Sequence, residues 1–159
     1  MRRYKIERSG DEAQYTLHYS IDASRLNTLT ASNAEEMTQI EDFLDKLRRD
    51  TTINLSHIEI VGYASPDGSA AANEALALSR AQKFRALLDS RFALASDYMV
   101  KVRAEVEPWS ACDKAVESSA IDNKPAVLQV LNSEASASVK EQQLKRMPQA
   151  WNILRTKIL

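Results

Sequence analysis

Residues 57–91, HIEIVGYASPDGSAAANEALALSRAQKFRALLDSR, change pattern twice within 35 positions, and this constrains the fold more than any other stretch. Ile58, Ile60 and Val61 are β-branched and apolar, and the run stops at Gly62, which predicts a buried strand. Pro66, Asp67 and Gly68 predict a tight turn, in which proline sets one dihedral and glycine admits a positive φ. Ser69 is suited to cap a helix, and Leu76, Ala77, Ala81, Phe84, Leu87 and Leu88 then recur at helical spacing on one face. A strand that delivers a polar loop to a helix N-terminus makes a favourable place for an anion, because the free N–H groups and the helix dipole point at it.

The flanking segments extend this unit into a layered domain. Tyr4 and Ile6 alternate with charged residues, Ser9, Gly10 and Asp11 read as a turn, and Tyr15, Leu17, Tyr19 and Ile21 alternate with polar residues. A period of two predicts a hairpin whose second strand runs through Ile21. The basic group Arg2, Arg3, Lys5 and Arg8 reads either as a partner patch or as solvated protection of an edge strand. Asp22 to Ala31 reads as a loop. Ser32 with Glu35 fits a capping box, and Met37, Ile40, Phe43, Leu44 and Leu47 predict a helix ending near Asp50. Its acidic set Glu35, Glu36, Glu41 and Asp42 reads as a solvated face rather than a cation site.

Tyr98, Val100, Val102, Ala104 and Val106 alternate with charged residues, and Pro108 ends that strand. The succession strand, helix, strand, helix, strand predicts an α/β domain with helices on one face of a mixed sheet, and a crossover makes the strands at His57 and Tyr98 parallel. From Trp109 onward the pattern is helical. Short helices are expected over 111–118, 125–132 and 138–147, with Pro125 at a helix start and Ser138–Glu141 at capping-box spacing. Trp151, Leu154 and Ile158 predict a last amphipathic helix after Pro148, with Arg155 and Lys157 toward solvent. The expected division is an α/β domain over 1–108 and a helical extension over 109–159, packed on the same domain.

Composition narrows the function classes. A net charge of −1 provides no polybasic footprint for nucleic acid or a membrane surface. No apolar run approaches the roughly 20 residues of a membrane-spanning helix, and the start, MRRYKIERSG, has no apolar segment of the secretory-signal kind. The single cysteine, Cys112, excludes an intrachain disulfide. Catalytic constellations are missing from the pattern. Gly62 and Gly68 flank Ser65 at the wrong offsets for a nucleophile elbow, Asp67-Gly68-Ser69 lacks the lysine of a phosphate loop, and His18 and His57 build no triad. Cys112 reads as a buried structural thiol, and the scattered histidines and cysteine make no metal site. No cofactor is expected and the chain reads as non-enzymatic.

Gly62, the pair Gly68-Ser69, Asn73, Leu76 and the pair Arg80-Ala81 also form a spaced signature. It resembles that of the OmpA-like peptidoglycan-binding domain, with departures at Tyr63, Ala64, Ser65 and Ala77, where that family has histidine, threonine, aspartate and serine. The form GYASPDG is similar to a divergent branch found at the C-termini of Gram-negative envelope proteins. The likeness runs weakly from about Tyr15 to the end, and that branch continues a few residues beyond the position of Leu159. It implies a β-α-β-α-β fold, a place at the periplasmic face of the outer membrane, and a longer secreted precursor.

The resemblance also implies a ligand. In the family, the loop aspartate and the helix arginine clamp diaminopimelate of the peptidoglycan stem peptide, and Ser65 and Arg80 stand at those positions here, fifteen residues apart. A guanidinium reads a carboxylate with a planar fork. A serine in place of the aspartate forfeits a charge-assisted bond of about 1.5–3 kcal/mol. The implied ligand-binding set is Ser65, Asp67, Asn73 and Arg80. Each has a second reading: Asp67 serves the turn, Arg80 pairs with or caps the loop, and Asn73 braces the loop. Tyr63 either stacks on ligand or fills the core edge. Two functions follow as expectations: anchoring an envelope protein to peptidoglycan, or a scaffold that has lost the glycan and makes protein contacts during surface-structure assembly.

Overall fold

A computed structural model of the chain describes residues 3–8, 11–20 and 23–159. The expected Ser9–Gly10 turn, Ile21, and the side chains of the N-terminal basic group lie outside the described residues. The chain is α/β. Strands β1 (Arg3–Arg8) and β2 (Asp11–Thr16) are followed by helix α1 (Ala31–Arg49), β3 (Leu55–Ala64), α2 (Ala70–Phe92), a short α3 (Leu94–Asp97) and β4 (Val100–Val106). The four strands form one sheet in the order β2-β1-β3-β4. β1 is antiparallel to both β2 and β3, with Ile6 opposite Ala13 on one side and Ile58 on the other. Hydrogen bonds from Ile58 N–H to the Met99 carbonyl (2.9 Å) and from Glu107 N–H to the Ala64 carbonyl (2.9 Å) advance along both chains in the same sense, so β3 and β4 are parallel, as a crossover through α2 requires.

The fold divides into two compact units. One comprises residues 1–63 and 74–105, the other residues 64–73 and 106–159. The loop 64–69 and the first turn of α2 therefore group with the C-terminal segment.

In the first unit, the apolar faces of α1 and α2 meet the inward residues of β3. Met37, Ile40, Leu44, Ile58, Ile60, Ala81, Phe84 and Leu88 form one buried cluster with Leu17. Gly62 makes this approach possible. A Cβ built there would lie 1.9 Å from the Ala77 carbonyl oxygen, so any larger residue displaces α2 from the strand. In the second unit, a 3-10 turn (Trp109–Cys112) and helices α4 (Asp113–Glu117), α5 (Lys124–Leu131), α6 (Ala137–Lys145) and α7 (Pro148–Ile153) enclose Trp109, Val116, Val127, Leu131, Leu144 and Leu154, and a π-type turn (Leu154–Ile158) ends the chain. Leu154 is buried while Arg155 and Lys157 are exposed, as the spacing predicts.

Three local expectations require correction. The strand expected through Ile21 ends at Thr16, opposite Arg3, where the described part of its partner strand begins. Burial still alternates at Tyr15, Leu17 and Tyr19, so the side-chain pattern outlasts the ladder. The Thr16 and His18 N–H groups turn instead to the side chains of Glu36 (3.0 Å) and Asn33 (2.8 Å) on α1. Ser32 does not cap α1: the helix starts at Ala31, with Thr30, two residues before Ser32, at the N-cap and no side-chain bond there. Ser138 does not cap α6. Ser136 does, accepting from Val139 N–H at 3.4 Å, and this leaves Glu141 for another contact.

Candidate functional site

The loop after β3 is built by its own backbone demands. Pro66 is buried, Ser65 and Asp67 are half-buried, and Gly68 takes φ +85°, a left-handed conformation that glycine adopts without steric cost. Ser69 receives Ala72 N–H on its hydroxyl at 3.4 Å, and Asn73 N–H on its carbonyl at 2.9 Å, so α2 begins here. Asn73 reaches back over this turn. Its Nδ2 donates to the Asp67 carbonyl at 2.7 Å, which fixes the loop to the helix one turn later.

A carboxylate meets the loop, and it comes from the chain itself. Gly68 N–H donates to Glu141 Oε2 at 3.0 Å, and Lys145 Nζ pairs with Glu141 Oε1 at 2.6 Å, one helical turn along α6. Burial pushes the Glu141 carboxyl upward. The Lys145 hydrogen bond, the Gly68 N–H and the nearby charges of Lys145 and Arg155 outweigh it and hold the group below the ordinary range.

Arg80 belongs to the other unit, and its guanidinium points into the fold. The residue is only 2% exposed. Nε donates to the Ala23 carbonyl (2.7 Å), Nη1 to the Tyr63 carbonyl (2.9 Å) and Nη2 to the Ser20 carbonyl (3.2 Å). The Tyr19 ring lies under the guanidinium carbon at 5.2 Å from its centroid. This fork is structural: it draws the segment before α1 onto the end of β3. Burial at position 80 follows from the helical period, since 77, 80, 81, 84 and 88 share the inward face of α2.

Asn33 plays the matching part on α1, and sequence reasoning passes over it. It is 1% exposed; its Oδ1 accepts His18 N–H (2.8 Å), and its Nδ2 donates to the carbonyls of His18 (2.7 Å) and Asn27 (2.9 Å). Its position one turn before Met37 and two before Ile40, on the buried stripe of α1, is the available signal, because a polar residue on an apolar stripe must find partners.

Of the four implied ligand residues, Asp67 and Asn73 are brought together by the Asn73 bond to the Asp67 carbonyl, Ser65 stands in the same loop, and Arg80 is committed to three carbonyls in the first unit. Among the described residues, no group of three or more histidine, cysteine, aspartate or glutamate side chains is placed to hold a metal ion. Cys112 is buried. Burial, then Glu107, Asp113 and Asp67, push its thiol up to about 11, so it carries negligible thiolate at neutral pH. Comparison of the chain with family models, with curated proteins and with solved structures finds no match.

Proposed function

We propose that this chain is a non-catalytic module of the bacterial cell envelope, of OmpA-like build, that works through protein contacts rather than by clamping peptidoglycan. The observation that carries this reading is the commitment of Arg80 to the Ser20, Ala23 and Tyr63 carbonyls. Bonds from a charged donor are worth about 1.5–3 kcal/mol each. A stem-peptide carboxylate that recruited this fork would have to replace them. Ser65 also brings no charge to the position where the resembling family has aspartate. The envelope placement and the periplasmic side rest on the GYASPDG signature alone.

Diaminopimelate binding is the second reading, favoured by the half-buried Ser65 and Asp67 on the loop that Asn73 fixes. A calorimetric titration with a diaminopimelate-containing muropeptide separates the two, with Asp67→Asn in parallel. Protein contact predicts no saturable heat for the intact chain. Saturable binding that weakens at least tenfold in Asp67→Asn would replace it with the anchor reading.

A further inference from the structure

A cleft of about 430 Å³ opens in the first unit between residues 25–28 and α2. Leu26, Phe84 and Leu87 provide apolar surface, Ser90 also lines it, and among the described residues Arg25 and Lys83 are the charged groups on its walls. Lys83, Leu87 and Ser90 recur at helical spacing, so they present one continuous stripe of α2. Both cations are exposed. Lys83 Nζ is held by the Ser24 hydroxyl at 2.5 Å, and among the described residues no carboxylate pairs with either cation. The neighbouring Arg85, by contrast, is neutralised by Asp89 at 3.6 Å.

The opposite wall of the cleft is built, not incidental. The segment that carries Arg25 and Leu26 is pinned on both sides by two buried polar residues, Arg80 and Asn33. Arg80 holds the Ala23 carbonyl at 2.7 Å and Asn33 holds the Asn27 carbonyl at 2.9 Å. A site whose walls are fixed before binding loses less ordering entropy when it is filled. Its volume falls within the range of sites that take small ligands or a few residues of a peptide.

We infer that this cleft is a docking site for a partner-protein segment in which a leucine- or phenylalanine-sized side chain stands beside a carboxylate. The apolar side chain packs between Leu26 and Leu87, and the carboxylate lies between Arg25 and Lys83. Charge complementarity selects the occupant: two cations that no carboxylate among the described residues pairs, set over apolar surface, favour an acidic-apolar segment and oppose a basic one. That the segment comes from a protein rests on the protein-contact reading above.

The test uses the full chain, followed by backbone amide NMR during titration with N-acetyl-leucyl-glutamate and with its uncharged counterpart N-acetyl-leucyl-glutaminamide. The acidic probe is expected to shift the amides of Leu26, Ala86 and Ser90. The uncharged probe, and the acidic probe with Arg25→Ala/Lys83→Ala, are expected to bind about tenfold more weakly. Both substituted side chains are exposed, and an otherwise unchanged spectrum verifies the fold. Equal affinity for the two probes, shifts confined to other residues, or unchanged affinity in the double variant would overturn the proposal. So would sodium octanoate saturating the same amides at lower concentration than the dipeptide, since that assigns the cleft to a free amphiphile. Muropeptide titration reports on the loop at Asp67 and leaves the amides of this cleft unaffected, so failure of the protein-contact reading is read separately from failure of the cleft.

Discussion

Arg80 Nε and the Ala23 carbonyl oxygen, 57 residues apart in the chain, are joined at 2.7 Å inside the fold. With the bonds to Ser20 and Tyr63, this makes one side chain the tie between α2, the end of β3 and the segment that precedes α1. Arg80→Lys retains the charge but replaces a planar fork by a single ammonium that cannot reach all three carbonyls. We expect it to lose about 2–4 kcal/mol, and Arg80→Ala somewhat more. Urea denaturation monitored by circular dichroism measures this. A midpoint unchanged in both variants would refute the tie.

Asn33 should behave alike from the other helix. Asn33→Ala strands the His18 N–H and the carbonyls of His18 and Asn27, at a cost of about 2–3 kcal/mol. Asn33→Asp is expected to be worse, because a carboxylate oxygen then faces two carbonyls where an amide donated. Thermal melts of the pair decide the order, and an aspartate variant as stable as wild type contradicts the assigned amide orientation.

The two loop-flanking glycines should differ sharply. Gly62→Ala drives a methyl group into the backbone oxygen of Ala77, so a loss above about 3 kcal/mol or failure to fold is expected. Gly68→Ala meets no atom within 4 Å and incurs only the left-handed backbone penalty of about 1–2 kcal/mol. Comparable losses in the two would argue against the close approach of α2 to β3.

Glu141 gives a pH dependence with a definite sign. Its carboxyl is held below the ordinary range in the fold, so its stabilisation is fully present above the unfolded carboxylate value of about 4.3 and disappears as pH falls through the lower folded value. Glu141→Gln should therefore cost about 1 kcal/mol at pH 7 and less at pH 3, below the unfolded carboxylate value. Denaturation midpoints at the two pH values test it. A pH-independent difference would remove the charge from the Gly68 contact.

Cys112 has the opposite sign. Its thiol is raised to about 11, so the stability tied to the neutral form is complete below the unfolded value of about 8.5 and is lost as pH rises through 11. Native protein at pH 8 should react with iodoacetamide at least about a hundredfold more slowly than unfolded chain, and Cys112→Ala should remove the alkaline loss. Equal labelling rates would place the thiol at the surface.

The elements most legible in the sequence are those whose side chains obey one period. Met37, Ile40, Leu44 and Leu47 mark α1, Val100, Val102 and Ala104 mark β4, and Ile58 and Ile60 with Gly62 mark the end of β3, because a buried face imposes its period wherever the element lies. Ser69 and Gly68 are equally local, since a helix start and a positive φ are properties of a few consecutive residues. Other features depend on groups far apart in the chain. Tyr15, Leu17 and Tyr19 keep a strand's alternation past Thr16, but a ladder also needs a partner backbone, and beyond Thr16 Asn33 takes the His18 N–H instead. Ser32 and Ser138 have the capping spacing but lie inside their helices, because where a helix starts depends on how its buried face docks. Arg80 carries the sharpest division. Its place on the inward face of α2 is readable from helical spacing, whereas the job of its guanidinium depends on the carbonyls of Ser20, Ala23 and Tyr63 converging on one point, and only tertiary structure brings them there.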